Sequence, residues 1–150
     1  MKHFVCAFED ILLGIPVAVV AEIIQVPWKV QEMIAVNPPT GEVFCSLPWF
    51  FGRADLPAPH GVRFKPLAYP ETLFRAINAY GGTEGSGIVI ITTSIETELD
   101  IPDAAIRQLP GFMGKLPFLK GVSFSGPTMT AFIDPVALVS RMLGPRGGAS

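Results

Sequence analysis

Charge is what this chain has least of. Asp, Glu, Lys and Arg make up only 16% of its residues, against about a quarter in an ordinary soluble domain, and the net charge is -2 with a pI near 5.6. No basic run is present. The footprint that a nucleic-acid binder needs is therefore missing, as is the polybasic signal of a protein held on an anionic membrane. Cysteine and histidine are scarce too, with two of each. Cys6 lies in a Val-Cys-Ala-Phe run and Cys45 in a Val-Phe-Cys-Ser run, which places both as small buried thiols in strands. Neither His3 with Cys6 nor Cys45 with His60 shows the close spacing that marks a zinc site. A disulfide would need an exported protein. No metal and no cofactor are expected.

An uninterrupted apolar helix is also missing. The oily run from Ile11 to Val26 (ILLGIPVAVVAEIIQV) meets Glu22 and Gln25 before the ~20 apolar residues of a spanning helix are reached. Pro16 would cost a helix interior about 3 kcal/mol. Met1-Lys2-His3 and Val19-Val20-Ala21 fit an export signal loosely, but Glu9 and Asp10 stand where such a signal carries positive charge. Val and Ile favour extended backbone. The run reads as strands in a soluble, cytoplasmic protein that keeps Met1 to Val26 and inserts in no membrane.

Catalytic patterns are equally thin. There is no Gly-x-Ser-x-Gly elbow, and neither histidine stands beside a Ser or Asp motif. Of the carboxylates, Glu22 stands alone among aliphatics, while Glu96, Glu98, Asp100 and Asp103 follow one another as a solvated face. The glycine-rich GGTEGSG, from Gly81 to Gly87, follows a helix and opens a strand. It has no Lys, so it is a connector rather than a phosphate loop. No catalytic residue is assigned, and no enzyme is expected.

What the chain does have is apolar residues, 49% of the total, with fifteen Gly and fifteen Pro spread along it. That composition predicts a turn-rich, mainly β protein. Strands are expected at His3–Phe8, Ile11–Val17 and, after a break near Ala18, Val20–Val26. The Asn37–Gly41 turn leads into EVFCSLPWFFG, a strand ending in an aromatic turn closed by Gly52. GVRFKPLA alternates as a half-exposed strand does, and IVIITT is a buried one. Helices are expected at Pro70–Tyr80, with Pro at its start and Leu73, Phe74 and Ile77 on one face, and at Pro135–Met142. An internal repeat runs through this pattern. VAEIIQVP, from Val20, can be laid on IETELDIP, from Ile95, half the chain away. Apolar residues meet at Val20/Ile95, Ile24/Leu99 and Val26/Ile101, and Ile15 falls on Ile90. Two similar lobes follow from such a repeat.

Three motifs in order resemble the CheW-like family of chemotaxis coupling and scaffold domains. Ile15, Pro16 and Val17 followed by Val20, Glu22 and Ile23 resemble its Ile-Pro-apolar strand and Val-x-Glu-Ile. SIETELDIPDAAIRQLP is similar to its Val-x-x-Val, Ile-Pro and Ile-x-x-Leu-Pro stretch. Gly121, Val122, Asp134 and Leu138 stand in its closing signature of Gly-apolar turn, strand and Asp-x-x-x-Leu helix. The chain departs from the pattern at Thr93, where the family commonly carries Asp. It departs again at Thr40, which precedes Gly41 where the family often has arginine. A further departure is the helical insert at Glu71–Tyr80.

The resemblance implies a mainly β fold of two small five-stranded β-barrel lobes with short helices. The expected first lobe covers 15–80 and the second 85–125, with segments 1–14 and 126–143 completing them and 144–150 as a tail. It also implies a non-catalytic adaptor that couples a histidine kinase regulatory domain of the CheA-like kind to a chemoreceptor tip. Val20, Glu22 and Ile23 carry over as the first-lobe contact region, and Ile95 as the second-lobe counterpart. The alternative is a small-molecule or lipid binder using a pocket between the lobes.

Overall fold

The computed structural model describes residues 1–8, 11–27, 29, 31–37, 39–65, 71–79, 87–109 and 118–147. Within them ten strands lie in chain order: β1 (Lys2–Phe8), β2 (Ile11–Pro16), β3 (Val20–Gln25), β4 (Ile34–Val36), β5 (Val43–Ser46), β6 (His60–Phe64), β7 (Ile88–Thr92), β8 (Ile95–Asp100), β9 (Leu119–Ser125) and β10 (Thr128–Ile133). Among the described residues three α-helices accompany them: α1 (Leu47–Phe50), α2 (Glu71–Ala79) and α3 (Pro135–Gly147). The oily run at Ile11 is thus β2 and β3, joined by a 3-10 turn at Val17–Val19. That turn is the break expected near Ala18. The Gly81–Gly87 connector and the Glu9-Asp10 turn lie outside the described residues, apart from Gly87.

The strands form two five-stranded sheets, ordered β8-β1-β2-β10-β9 and β3-β6-β7-β5-β4. The first three strands of each order pair antiparallel, the third and fourth pair parallel, and the last pair is antiparallel. The sheets are therefore the same unit used twice. Their registers agree residue by residue: Ile23 faces Val62 in one sheet, as Glu98 faces Phe4 in the other. Even the bulge recurs, between Val20 and Glu22 in β3 and opposite Val5/Cys6 in β8. The half-chain offset of Val20 onto Ile95 is a structural repeat.

The repeat is circularly permuted, because β1 and β2 complete the sheet that ends with β9 and β10. The strand at Ile88–Thr92, expected in the second lobe, hydrogen-bonds to β5 and β6 in the sheet that holds β3. The sheets divide instead at the Val17–Val19 turn and at Thr93–Ser94. Closed barrels were expected as well. Among the described residues the sheets stay open, since no ladder joins β8 to β9 or β3 to β4. Pro102, which has no N–H to give a ladder, leads a 3-10 turn out of β8. The chain then returns through one bridge, Arg107 to Val122, with N–H···O distances of 2.7 and 3.0 Å.

Gly121 makes that bridge sterically feasible: a Cβ there would meet the Arg107 carbonyl oxygen and Ile106 Cγ2, both at 2.7 Å. Gly121 and Val122 are consequently strand residues, not the turn the resemblance implied. Inside the sheets, volumes trade across the repeat. One has Gly61 beside Val89, whose Cγ1 would lie 2.8 Å from a Cβ at 61. In the other, His3 takes the place of Gly61, and Gly14, the counterpart of Val89, leaves room for the ring of Phe132. The His3 and Phe132 rings meet edge to face at 4.7 Å.

Between the sheets lies the main core, built from Cys6, Leu13 and Ile15 of one and Val43, Val62 and Ile90 of the other. Leu73 and Ile77 of α2 and Leu138 and Met142 of α3 join it. Asp134 caps α3 by accepting from the Ala137 N–H at 3.3 Å, with Pro135 at the first helical position. Ser46 caps α1 through the Trp49 N–H, so the aromatic turn is helical. Gly52 closes it at a φ of 71°, a conformation that side chains resist.

Candidate interaction site

The two stretches assigned to partner contact, β3 and the start of β8, are edge strands of their sheets. Each keeps one row of backbone donors and acceptors outside its ladder. Such edges need protection from pairing with other chains, and acidic side chains supply it. In β8 Glu98 and Asp100 are exposed and lie against Lys2 (3.8 Å) and the N-terminal amine (3.2 Å).

In β3 the alternation is less regular. Val20 is 8% exposed and belongs to the core. Ile23 is half-buried against the same core, and Ala21, Glu22 and Gln25 are exposed. Glu22 is not free: its Oε1 accepts from Nη1 of Arg63 on β6, the residue directly across the ladder. The same guanidinium forks onto Glu42, donating from Nε to Oε2 at 2.7 Å and from Nη2 to Oε1 at 3.2 Å. Glu42 is 8% exposed, and burial raises its carboxyl pKa above the usual carboxylate value. The two-point contact with Arg63 compensates that burial. One arginine thus holds a buried and an exposed carboxylate together.

Glu42 owes its place to the turn before β5. Asn37 accepts from the N–H groups of Thr40 (3.2 Å) and Gly41 (2.7 Å), and Gly41 adopts a φ of 73°. The Thr40 hydroxyl, where the resembled family often has arginine, accepts from the Glu42 N–H at 3.2 Å.

Ile95 is half-buried and packs on the core. Its N–H donates to Nδ1 of His60 at 2.9 Å. Because His60 pairs with Gln25, Ile95 lies at the Gln25 end of the β3–β6 ladder, the end away from Val20. The four residues therefore do not form one patch. Glu22 and Ile23 sit together, Val20 lies beneath, and Ile95 marks a seam between the sheets. Two more bonds run along that seam: Thr92 Oγ1 to Cys6 Sγ at 3.2 Å, and Thr93 Oγ1 to the Ala7 carbonyl at 2.8 Å. Thr93, standing where the family commonly carries Asp, thus ties one sheet to the other.

Arg63 and Glu42 escaped the sequence reading. The alternation in GVRFK sets Arg63 on a polar face, but nothing local joins it to acids 21 and 41 residues away. The thiols are free and buried. Burial pushes Cys45 up to about 12 and raises Cys6 as well, which leaves both protonated and unreactive at neutral pH. Among the described residues, no group of three or more His, Cys, Asp or Glu could hold a metal ion. No helix there is long and apolar enough to cross a membrane. Where α3 meets the core beside Phe64 and Leu73, the remaining space is about 10 Å³.

The sequence matches no family model and no curated protein. Among solved structures, the fold is similar to that of scaffolding protein TtCheW from Thermoanaerobacter tengcongensis. The TM-score is 0.58 at 14% identity, over 88% of this chain and 82% of that one. The chain has a CheW-like fold.

Proposed function

We propose that this protein is a non-catalytic adaptor of a chemotaxis-type signalling system, coupling a histidine kinase regulatory domain to a chemoreceptor tip. The observation that carries the reading is the likeness to a scaffolding protein over almost the whole chain, including both sheets of the repeat. The site chemistry is compatible with it. The clustered carboxylates are tied up in ion pairs, and the thiols are buried and protonated. In this reading Glu22 and Ile23 form the first contact region, on an edge strand that presents one charge beside one aliphatic side chain. Val20 supports them from the core, and Ile95 serves on β8, the equivalent strand of the other sheet. The protein works in the cytoplasm, where kinase domains and receptor tips meet.

The alternative, a small-molecule or lipid binder using a pocket between the lobes, draws no support from the space where α3 meets β6 and β7. About 10 Å³ is far below the ~300 Å³ at which ligand pockets begin. The test is direct titration of the full chain with a kinase regulatory domain and, separately, a receptor-tip fragment, both from the same organism. Saturable binding to both, and a ternary complex on mixing, are expected. Failure to bind either fragment would end the adaptor reading.

A further inference from the structure

We propose that Arg63 is a positioning residue for partner contact: clamped by buried Glu42, it fixes the Glu22 carboxylate for a single basic side chain of the partner. The inference rests on the adaptor reading and deepens it at the β3 edge. The clamp starts from Glu42, which is 8% exposed. Its backbone is held on both sides, its N–H by the Thr40 hydroxyl at 3.2 Å and its carbonyl by the Asn37 N–H at 2.9 Å. Its carboxylate takes Nε and Nη2 of Arg63, and such a two-point fork fixes a guanidinium in direction as well as position. The remaining nitrogen, Nη1, is the one that reaches Glu22. Arg63 also stands on a central strand, paired with Glu22 of β3 on one side and Val89 of β7 on the other. Glu22 stands on an edge.

An edge glutamate left to itself samples several rotamers, and a partner that uses it must order it on binding. Here folding has already done so. The charges then define what fits. Two carboxylates and one guanidinium leave one negative charge, and the exposures place it: the Glu42 side chain is 11% exposed and that of Glu22 56%. Glu22 Oε1 accepts from Arg63, and Oε2 has no partner among the described residues. The cluster therefore presents one bare carboxylate oxygen and one uncompensated charge, which a single lysine or arginine side chain satisfies. An acidic or phosphorylated surface meets like charge here. Arg63 itself makes no contact with the partner in this scheme, because Nε, Nη1 and Nη2 all donate within the protein.

The test is a mutant cycle in which charge is conserved. Arg63→Met with Glu42→Met removes one cation and one anion, and leaves no buried carboxylate unpaired. Kinase regulatory domain and receptor-tip fragments from the same organism are titrated calorimetrically into the full chain, its Glu22→Gln variant, the double variant and the combination of all three. For the fragment that Glu22→Gln weakens, the double variant should bind about threefold more weakly than the parent. In the Glu22→Gln background the same two substitutions should have no further effect, whereas a general distortion of the edge would weaken both backgrounds alike. Unchanged affinity in the double variant, an equal loss in both backgrounds, or no effect of Glu22→Gln on either fragment would each overturn the positioning role and leave the adaptor reading standing. A parent chain that binds neither fragment ends the adaptor reading, and this inference with it. NMR of the free parent chain keeps the test independent of how the variants fold: the Glu22 methylene couplings should report one dominant rotamer, and averaged couplings would refute the fixed carboxylate.

Discussion

Replacing Glu22 by Lys is the perturbation that separates the adaptor contact from the fold. The Glu22 side chain is 56% exposed and that of Arg63 29%, so their ion pair is screened and worth about 0.2–1 kcal/mol. Lys at this position loses that attraction and gains a like-charge repulsion of similar size from Arg63. The loss is bounded, because Glu42 still holds the same guanidinium at two points. The expected cost is about 1 kcal/mol, more than the ~0.5 kcal/mol of an isolated surface substitution. Urea denaturation reads it. Binding should weaken by about tenfold or more, or ~1.4 kcal/mol, if Glu22 meets a basic group on the partner. Calorimetry with kinase and receptor fragments in separate titrations shows which partner is lost, and Glu22→Gln should fall between wild type and Glu22→Lys in both assays. The reasoning fails if Glu22→Lys unfolds the protein, or if it binds both fragments as tightly as the parent chain.

Ile24→Ala, beneath that edge, should do the opposite. It truncates a residue packed on the small cluster of Val26, Phe44 and Val89 and should cost about 2 kcal/mol, near the low end for such truncations because Ile24 is half-buried, with fragment binding unchanged in folded molecules. Gly121→Ala should destabilise more than Gly61→Ala in paired urea melts, since its Cβ meets a backbone carbonyl at 2.7 Å whereas that of residue 61 meets side chains that can shift; equal losses would discount the Arg107 bridge. Burial depresses the pKa of His3 below 6.5, so the unfolded chain takes up a proton first as pH falls. Its contribution to stability is complete above pH 6.5 and shrinks as pH falls toward the folded-state value. His3→Gln should flatten that part of the stability–pH curve, and an unaltered slope would contradict the buried, neutral histidine. Mass spectrometry of the protein from its native cells should find Met1–Val26 retained, because cleavage after Ala21 would remove β1 and β2 from the middle of their sheet.

Most strands were legible because alternation and turn residues are local signals. Ile11–Pro16, Val20–Gln25 and Ile88–Thr92 lie within a residue or two of where Val/Ile runs and prolines put them. The repeat showed in β3 and β8, whose bulges and registers turn out to match. What escaped was non-local. β4 has three residues, too few to show a period. The lobe limits set both terminal segments apart as completing the lobes but put Ile88–Thr92 in the second one, since no local pattern says that this strand pairs with β5 and β6. At the candidate site, Glu22 could be singled out as a carboxylate among aliphatics. Its partner could not, because Arg63 is brought opposite it only by the β3–β6 register.

The adaptor account is tested most directly by tagging this protein at its native level, cross-linking in the cell and identifying what co-purifies. The account predicts a histidine kinase and a chemoreceptor, both lost or reduced with Glu22→Lys while Ile24→Ala retains them in the folded fraction. Recovery of the tagged protein with neither a histidine kinase nor a chemoreceptor would contradict it.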